Sequence, residues 1–92
     1  MAILSSSEIT ERLGSVPQWH LEGDNIVRLV VFADFVAAIA FVNRVAEEAE
    51  KAGHHPDIDI RWNKVRLALS SHDAGGLTEA DFKLASVLDS LG

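Results

Sequence analysis

The hydrophobic pattern changes its period once in mid-chain, in the stretch "AEKAGHHPDIDIRWNKVRLALS" that begins at Ala49. Upstream, "FVAAIAFVNRVAEEAEKA" places Phe35, Ile39, Val42, Ala46 and Ala49 at the three-to-four spacing of a helix with one buried stripe, and Arg44, Glu47, Glu48 and Lys51 on its wet side. Glu47 and Lys51 form an i,i+4 pair in the favourable order. Downstream, "DIDIRW" and "KVRLALS" alternate with period two, as strands do. A long helix that passes directly into a hairpin excludes both all-α and all-β folds. Gly53 ends the helix, because glycine takes the positive φ needed just past a last turn. Two adjacent histidines and Pro56 occupy the join.

The remaining segments extend the order. "SSSEITERLG" predicts a first helix, with Ser5 and Glu8 as a capping box and Gly14 as its stop. Pro17 breaks the chain before a short strand "WHLE", and "GDN" turns it into "IVRLVVF". Asp34 is placed to cap the central helix, and Thr78 with Asp81 forms a second capping box opening "EADFKLASVLDSL". The order α-β-β-α-β-β-α predicts an α+β domain over residues 1–92, a four-stranded antiparallel sheet with helices on one face. In the second strand Val27, Leu29 and Val31 share one face, and Ile26, Val30 and Phe32 share the other with Arg28. If the first set is buried the second faces water, and swapping them leaves a patch of the same size. Such a patch, with two sheet edges, predicts a homodimer or larger homo-oligomer.

The second hairpin predicts where the histidines go. With Asn63-Lys64 as the turn, Trp62 pairs with Val65, Ile60 with Leu67 and Ile58 with Leu69. One flaw is a like-charge pair of Arg61 and Arg66. Extended outward, this register brings His55 opposite His72. Pro56 biases His55 toward extended backbone, so His54 and His55 splay from one point. Three of the chain's four histidines thus converge where the helix ends and the hairpin closes. Imidazole titrates near neutrality and can both give and take protons.

Other chemistries compete for these residues. His54, His55, His72 and Asp57 or Asp59 supply nitrogen and oxygen ligands for a metal, but adjacent histidines rarely aim at one ion, and no H-x-x-x-H spacing is present. His20 reads as a turn residue and Trp19 as core. The capping box alone accounts for Asp81. Charge and composition exclude further classes. A net charge of -6, from 14 acidic and 8 basic residues, with no basic stripe, disfavours nucleic acid. The absence of cysteine removes disulfides and thiolate chemistry. The greasiest segment, "LVVFADFVAAIAFV", is interrupted by Asp34 and too short for a membrane span, and "MAILSSSEIT" lacks the features of a signal peptide. A soluble, cytoplasmic protein is the expectation.

Glu50, three residues, His54-His55-Pro56, five residues, Trp62, nine residues, His72, eight residues and Asp81 together resemble the signature of the pterin-4a-carbinolamine dehydratases. The "EI…L" helix, the tryptophan before the first strand, the phenylalanine opening the central helix and the "NKV…L" hairpin extend the likeness over nearly the whole chain. The resemblance implies three helices on one side of the sheet. It also implies dehydration of 4a-hydroxytetrahydrobiopterin or a related tetrahydropterin, which would serve an aromatic amino acid hydroxylase, with no cofactor and no metal. It assigns catalysis to His54, His55 and His72, and the lining of the pterin site to His54-His55-Pro56 and Ser71-His72-Asp73-Ala74. Glu50, Trp19 and Asp81 match further residues around that site. It also implies dimers or tetramers, and it admits an alternative, a non-catalytic assembly or regulatory protein on the same fold. Gly53 and Ala80 depart from the acidic residue and the arginine found in some members.

Overall fold

The computed structural model describes residues 2–91. Helix α1 (Ser6–Leu13) is followed by strands β1 (His20–Glu22) and β2 (Asn25–Val31), helix α2 (Phe35–Ala52), strands β3 (Asp57–Arg61) and β4 (Lys64–Leu69), and helix α3 (Glu79–Asp89). All three expected N-caps are formed. Ser5 and Glu8 close a capping box, Asp34 accepts from the Ala37 N–H at 2.8 Å, and Thr78 and Asp81 close the second box. Gly53 sits at φ 62°, ψ 30°, the left-handed conformation that ends α2.

The strands form one antiparallel sheet in the order β1-β2-β4-β3, with β2 and β4 in the middle. Ile26, Val30, Val65, Leu67 and Leu69 project from one face into the core. There they meet Ala38, Phe41 and Val45 of α2 and Phe82, Leu84, Ala85 and Leu88 of α3, so the helices cover that face.

Of the two faces left open by the sequence, strand two buries the Ile26 set. Arg28 decides it. Its guanidinium lies inside at 9% exposure and donates to Asp89 Oδ1 of α3 at 2.6 Å, so a charge can enter the core face because a carboxylate meets it. On the outer face Val27 is shielded between His20 and Ala68 of the neighbouring strands, whereas Leu29 and Val31 are 55% and 59% exposed.

Four expectations need correction. The buried stripe of α2 is Ala38, Phe41, Val45 and Ala49, rotated by about one residue from the one expected. Phe35 and Ala46 are exposed, and Ile39 and Val42 are half-buried. Both stripes satisfy helical spacing, because the first half of α2 is apolar nearly all round. Lys51 pairs with Glu48 at 3.1 Å rather than with Glu47. The β3–β4 turn is Trp62-Asn63, so Arg61 faces Lys64, Ile60 faces Val65 and Ile58 faces Leu67, two residues from the expected register. The anchor is Asn63. Its side-chain amide donates to the Phe32 carbonyl at 2.8 Å, and its own carbonyl accepts from Phe32 N–H at 2.8 Å. Trp62 consequently adopts φ 54°, and Asp59 replaces Arg61 opposite Arg66. His20 opens β1 instead of lying in a turn, and bonds Glu22.

Candidate active site

Three chain segments build the site at the end of the sheet where β3 begins and β4 ends. The first is the exit from α2. The Gly53 N–H returns to the Glu50 carbonyl and the His54 N–H to the Ala49 carbonyl, both at 3.2 Å, so the wrap that closes the helix also fixes where His54 emerges. The second is the loop after β4. The Ala74 and Gly75 N–H groups both donate to the Ser71 carbonyl at 3.0 Å, and Ser71 and Gly76 bridge each other. Gly75 takes φ 84°, which lets this small loop close. The third is the start of α3, capped by Thr78.

Between them lies a cleft of about 640 Å³, lined by His54, His55, Ser70, Ser71, His72, Asp73 and Ala74, with Ala52, Gly53 and Ala80 completing it. A volume in this range suits a small organic ligand. The three histidines thus share one cleft, though not through the expected cross-strand pair. Extending the observed register would set His55 against Ser70 and His72 against Gly53, and His72 reaches the cleft on the Ser71–Gly76 loop.

Each histidine is held differently. His54 Nε2 stands 2.5 Å from Asp81 Oδ1; its side chain is 19% exposed, while that of Asp81 is 0% exposed. His55 Nε2 stands 2.9 Å from Glu50 Oε1, and both side chains are largely exposed. His72 is exposed at the rim. This arrangement offers one firmly oriented imidazole and two adaptable ones around a polar-lined space. Such a set suits proton transfer to and from a bound ligand.

Other residues singled out in the sequence lie elsewhere. Trp19 is buried in the core, where its indole N–H donates to Asp89 Oδ1 at 2.8 Å, and it does not line the cleft. Glu50 and Pro56 flank the histidines without lining the cleft. Asp81 lies beneath it. Its Oδ2 accepts from Ser71 Oγ and from the Thr78 N–H, each at 2.9 Å. Thr78 was not singled out as a site residue, although its hydroxyl lies 2.8 Å from Ser71 Oγ. The signal was present in the capping box, whose role as a helix start left nothing more to explain. A larger groove of about 830 Å³ runs between α1, α2 and α3 and shares His54 with the cleft. Its rim charges are mostly paired, Arg12 with Glu79 and Lys51 with Glu48, whereas the smaller cleft gathers all three histidines. Among the described residues, no three His, Cys, Asp or Glu side chains are grouped as ligands of one metal ion.

A family model described as Pterin 4 alpha carbinolamine dehydratase matches residues 2–91. The chain belongs to the pterin-4a-carbinolamine dehydratase family. Relatives provisionally given that name include one from Acidobacterium capsulatum, 64% identical over 91 residues and covering 99% of both chains. Another, from Chloroflexus aggregans, is 62% identical over 92 residues, covering 99% of this chain and 98% of the relative. A crystal structure of a transcriptional coactivator/pterin dehydratase from Brucella melitensis matches with a TM-score of 0.91 at 34% identity, over 97% of each chain. A pterin dehydratase-like protein identified as a RuBisCO assembly factor in the alpha-carboxysome matches with a TM-score of 0.65 at 23% identity, over 79% of this chain and 84% of that one. The second likeness is one of fold alone.

Proposed function

We propose that this dehydratase-family chain removes water from a 4a-hydroxytetrahydropterin, 4a-hydroxytetrahydrobiopterin or a close relative, to give the quinonoid dihydropterin. The observation that carries the reading is the meeting of His54, His55 and His72 on one ligand-sized cleft. The reaction breaks the C4a–O bond, whose electron pair leaves with oxygen, and an imidazolium proton completes the departing water. The N5–H bond supplies the pair that forms C4a=N5, and a neutral imidazole takes that proton. Two imidazoles in opposite protonation states on either side of the ring meet both needs. Each would contribute on the order of 10²–10⁴. The N5 lone pair already assists departure of the hydroxyl, so more is not required.

The partners follow from the chemistry. The substrate forms when a hydroxylase spends a tetrahydropterin, so the protein would support recycling of that cofactor beside an aromatic amino acid hydroxylase in the cytoplasm, ahead of a separate reduction of the quinonoid product. No helix among the described residues is long and apolar enough to cross a membrane. A homo-oligomer is supported by Leu29 and Val31 on the outer sheet face and by Phe35 and Val36 at the start of α2, all at least half exposed. The alternative of a non-catalytic assembly protein has a precedent in fold, but this chain keeps all three histidines of the dehydratase signature. The test is the double variant His55→Ala, His72→Ala assayed for carbinolamine dehydration. Turnover should fall by on the order of 10² or more with near-native circular dichroism. Wild-type turnover in the folded double variant would overturn the assignment.

A further inference from the structure

We infer that Asp81, with Ser71 and Thr78 behind it, is a positioning unit that fixes the proton of His54 on Nε2 and leaves Nδ1 as its working atom. This rests on the proposed proton chemistry of the cleft, and it moves Asp81 and Ser71 from substrate contacts to supports. The side chain of Asp81 has no exposed surface, so a ligand in the cleft cannot touch it.

The donors around Asp81 set the direction of every bond. A backbone N–H can only donate, so Thr78 N–H gives to Oδ2 at 2.9 Å. Ser71 Oγ donates to the same oxygen at 2.9 Å. Having spent its proton there, Ser71 must accept from Thr78 Oγ1 at 2.8 Å, and Thr78 Oγ1 in turn accepts the Ala80 N–H at 3.2 Å. The chain of hydroxyls is polarised toward Asp81, as suits an acceptor-only carboxylate. A carboxylate at zero exposure needs such donors to offset its lost hydration. Oδ1 then faces His54 Nε2 at 2.5 Å and accepts a hydrogen bond from the N–H of that nitrogen. With Nε2 held against a buried oxygen, Nδ1 is the ring nitrogen left to meet a ligand. The neutral ring presents a lone pair there, and the imidazolium presents a proton. Either state can act on a ligand without the ring turning.

The same contacts serve the helix and the site together. Asp81 is the N3 residue of the α3 capping box, so the start of α3 cannot form without delivering a carboxylate to the place where His54 leaves α2. Nothing else in the capping requirement calls for Ser71, which lies ten residues from Asp81 in sequence.

The direct test is a nitrogen-15 heteronuclear NMR spectrum of the histidine rings of the whole wild-type protein, followed through a pH titration into the neutral form. His54 should carry its proton on Nε2. In Asp81→Asn the amide can donate to Nε2, so the neutral ring should shift toward the Nδ1–H form, with turnover lowered 10²–10⁴-fold. Ser71→Ala should keep the Nε2–H form while lowering kcat by about tenfold and KM by less than twofold. A wild-type His54 protonated on Nδ1 would overturn the inference whatever the activity. So would a folded Asp81→Asn protein with unchanged tautomer and turnover. If Asp81→Asn fails to fold, the wild-type spectrum and Ser71→Ala decide between the outcomes. A protein that shows the Nε2–H form yet dehydrates no pterin would leave this positioning unit standing and refute the proposed reaction.

Discussion

Asp89→Ala should be among the more damaging single substitutions outside the hydrophobic core. Asp89 Oδ1 receives both the Arg28 guanidinium at 2.6 Å and the Trp19 indole N–H at 2.8 Å. Removing the carboxylate leaves Arg28, 9% exposed, as an unpaired charge facing the helices. Breaking a fully buried pair costs about 3–5 kcal/mol, and the lower end applies because the Asp89 side chain is 26% exposed and water can enter. The orphaned indole N–H adds about 1 kcal/mol. Asp89 is also the last residue of α3, where a negative charge opposes the helix dipole, so its removal returns roughly 0.5 kcal/mol. The net loss is about 3.5 kcal/mol, or roughly 14–28 °C in Tm for a domain of this size. Asp89→Asn keeps an acceptor for both donors and should lose only about 1–2 kcal/mol. Replacing both partners by apolar residues, Arg28→Met with Asp89→Leu, should recover most of the deficit. Urea unfolding at one fixed protein concentration measures all four proteins. An Asp89→Ala variant within 1 kcal/mol of wild type, or no weaker than Asp89→Asn, would refute the reasoning.

Three further outcomes are expected. Light scattering at micromolar concentration should give at least twice the 10.0 kDa chain mass. Leu29→Glu with Val31→Glu, whose new carboxylates would face Arg66 and Lys64, should reduce it to the monomer, and an unchanged mass would clear this face. At position 62, with φ 54°, Trp62→Gly should be more stable than Trp62→Ala by about 1 kcal/mol, and the reverse ranking would show that the turn relaxes. The His20 ring, and next the Arg66 guanidinium, hold the Glu22 carboxyl below the ordinary glutamate range. A depressed carboxylate contributes stability above the unfolded value and loses it as pH falls through the folded one. The lead of wild type over Glu22→Gln in urea at pH 6 should therefore shrink below about pH 4.5, and a constant difference would contradict the assigned partners.

The element order and all three N-caps were legible because each rests on local chemistry, such as Ser5 with Glu8 or Gly53 at positive φ. What escaped is what local chemistry leaves degenerate. A two-residue slip of β3 on β4 keeps every side chain on its own face, so alternation could not distinguish Trp62-Asn63 from Asn63-Lys64 as the turn. The choice was made by Asn63 bonding Phe32, 31 residues away. The rotation of α2 was hidden by its apolar first half, and the face of β2 by Arg28, whose partner lies 61 residues on. In the site, the clustering of His54, His55 and His72 was legible, but local chemistry explained Asp81 only as a cap and the family resemblance only as a residue near the ligand. Only tertiary structure shows that its second oxygen serves the helix while its first serves His54.

The cleft is walled by the exit of α2, the approach to β3, the loop after β4 and the opening turn of α3. None of these segments can form it alone, so the unfolded chain has no version of the site. Any compound that occupies it must then shift the folding equilibrium, by about 2.7 kcal/mol at a concentration one hundred times its Kd. Thermal melting in the presence of stable pterin analogues would consequently rank ligands for this cleft, including compounds that cannot turn over.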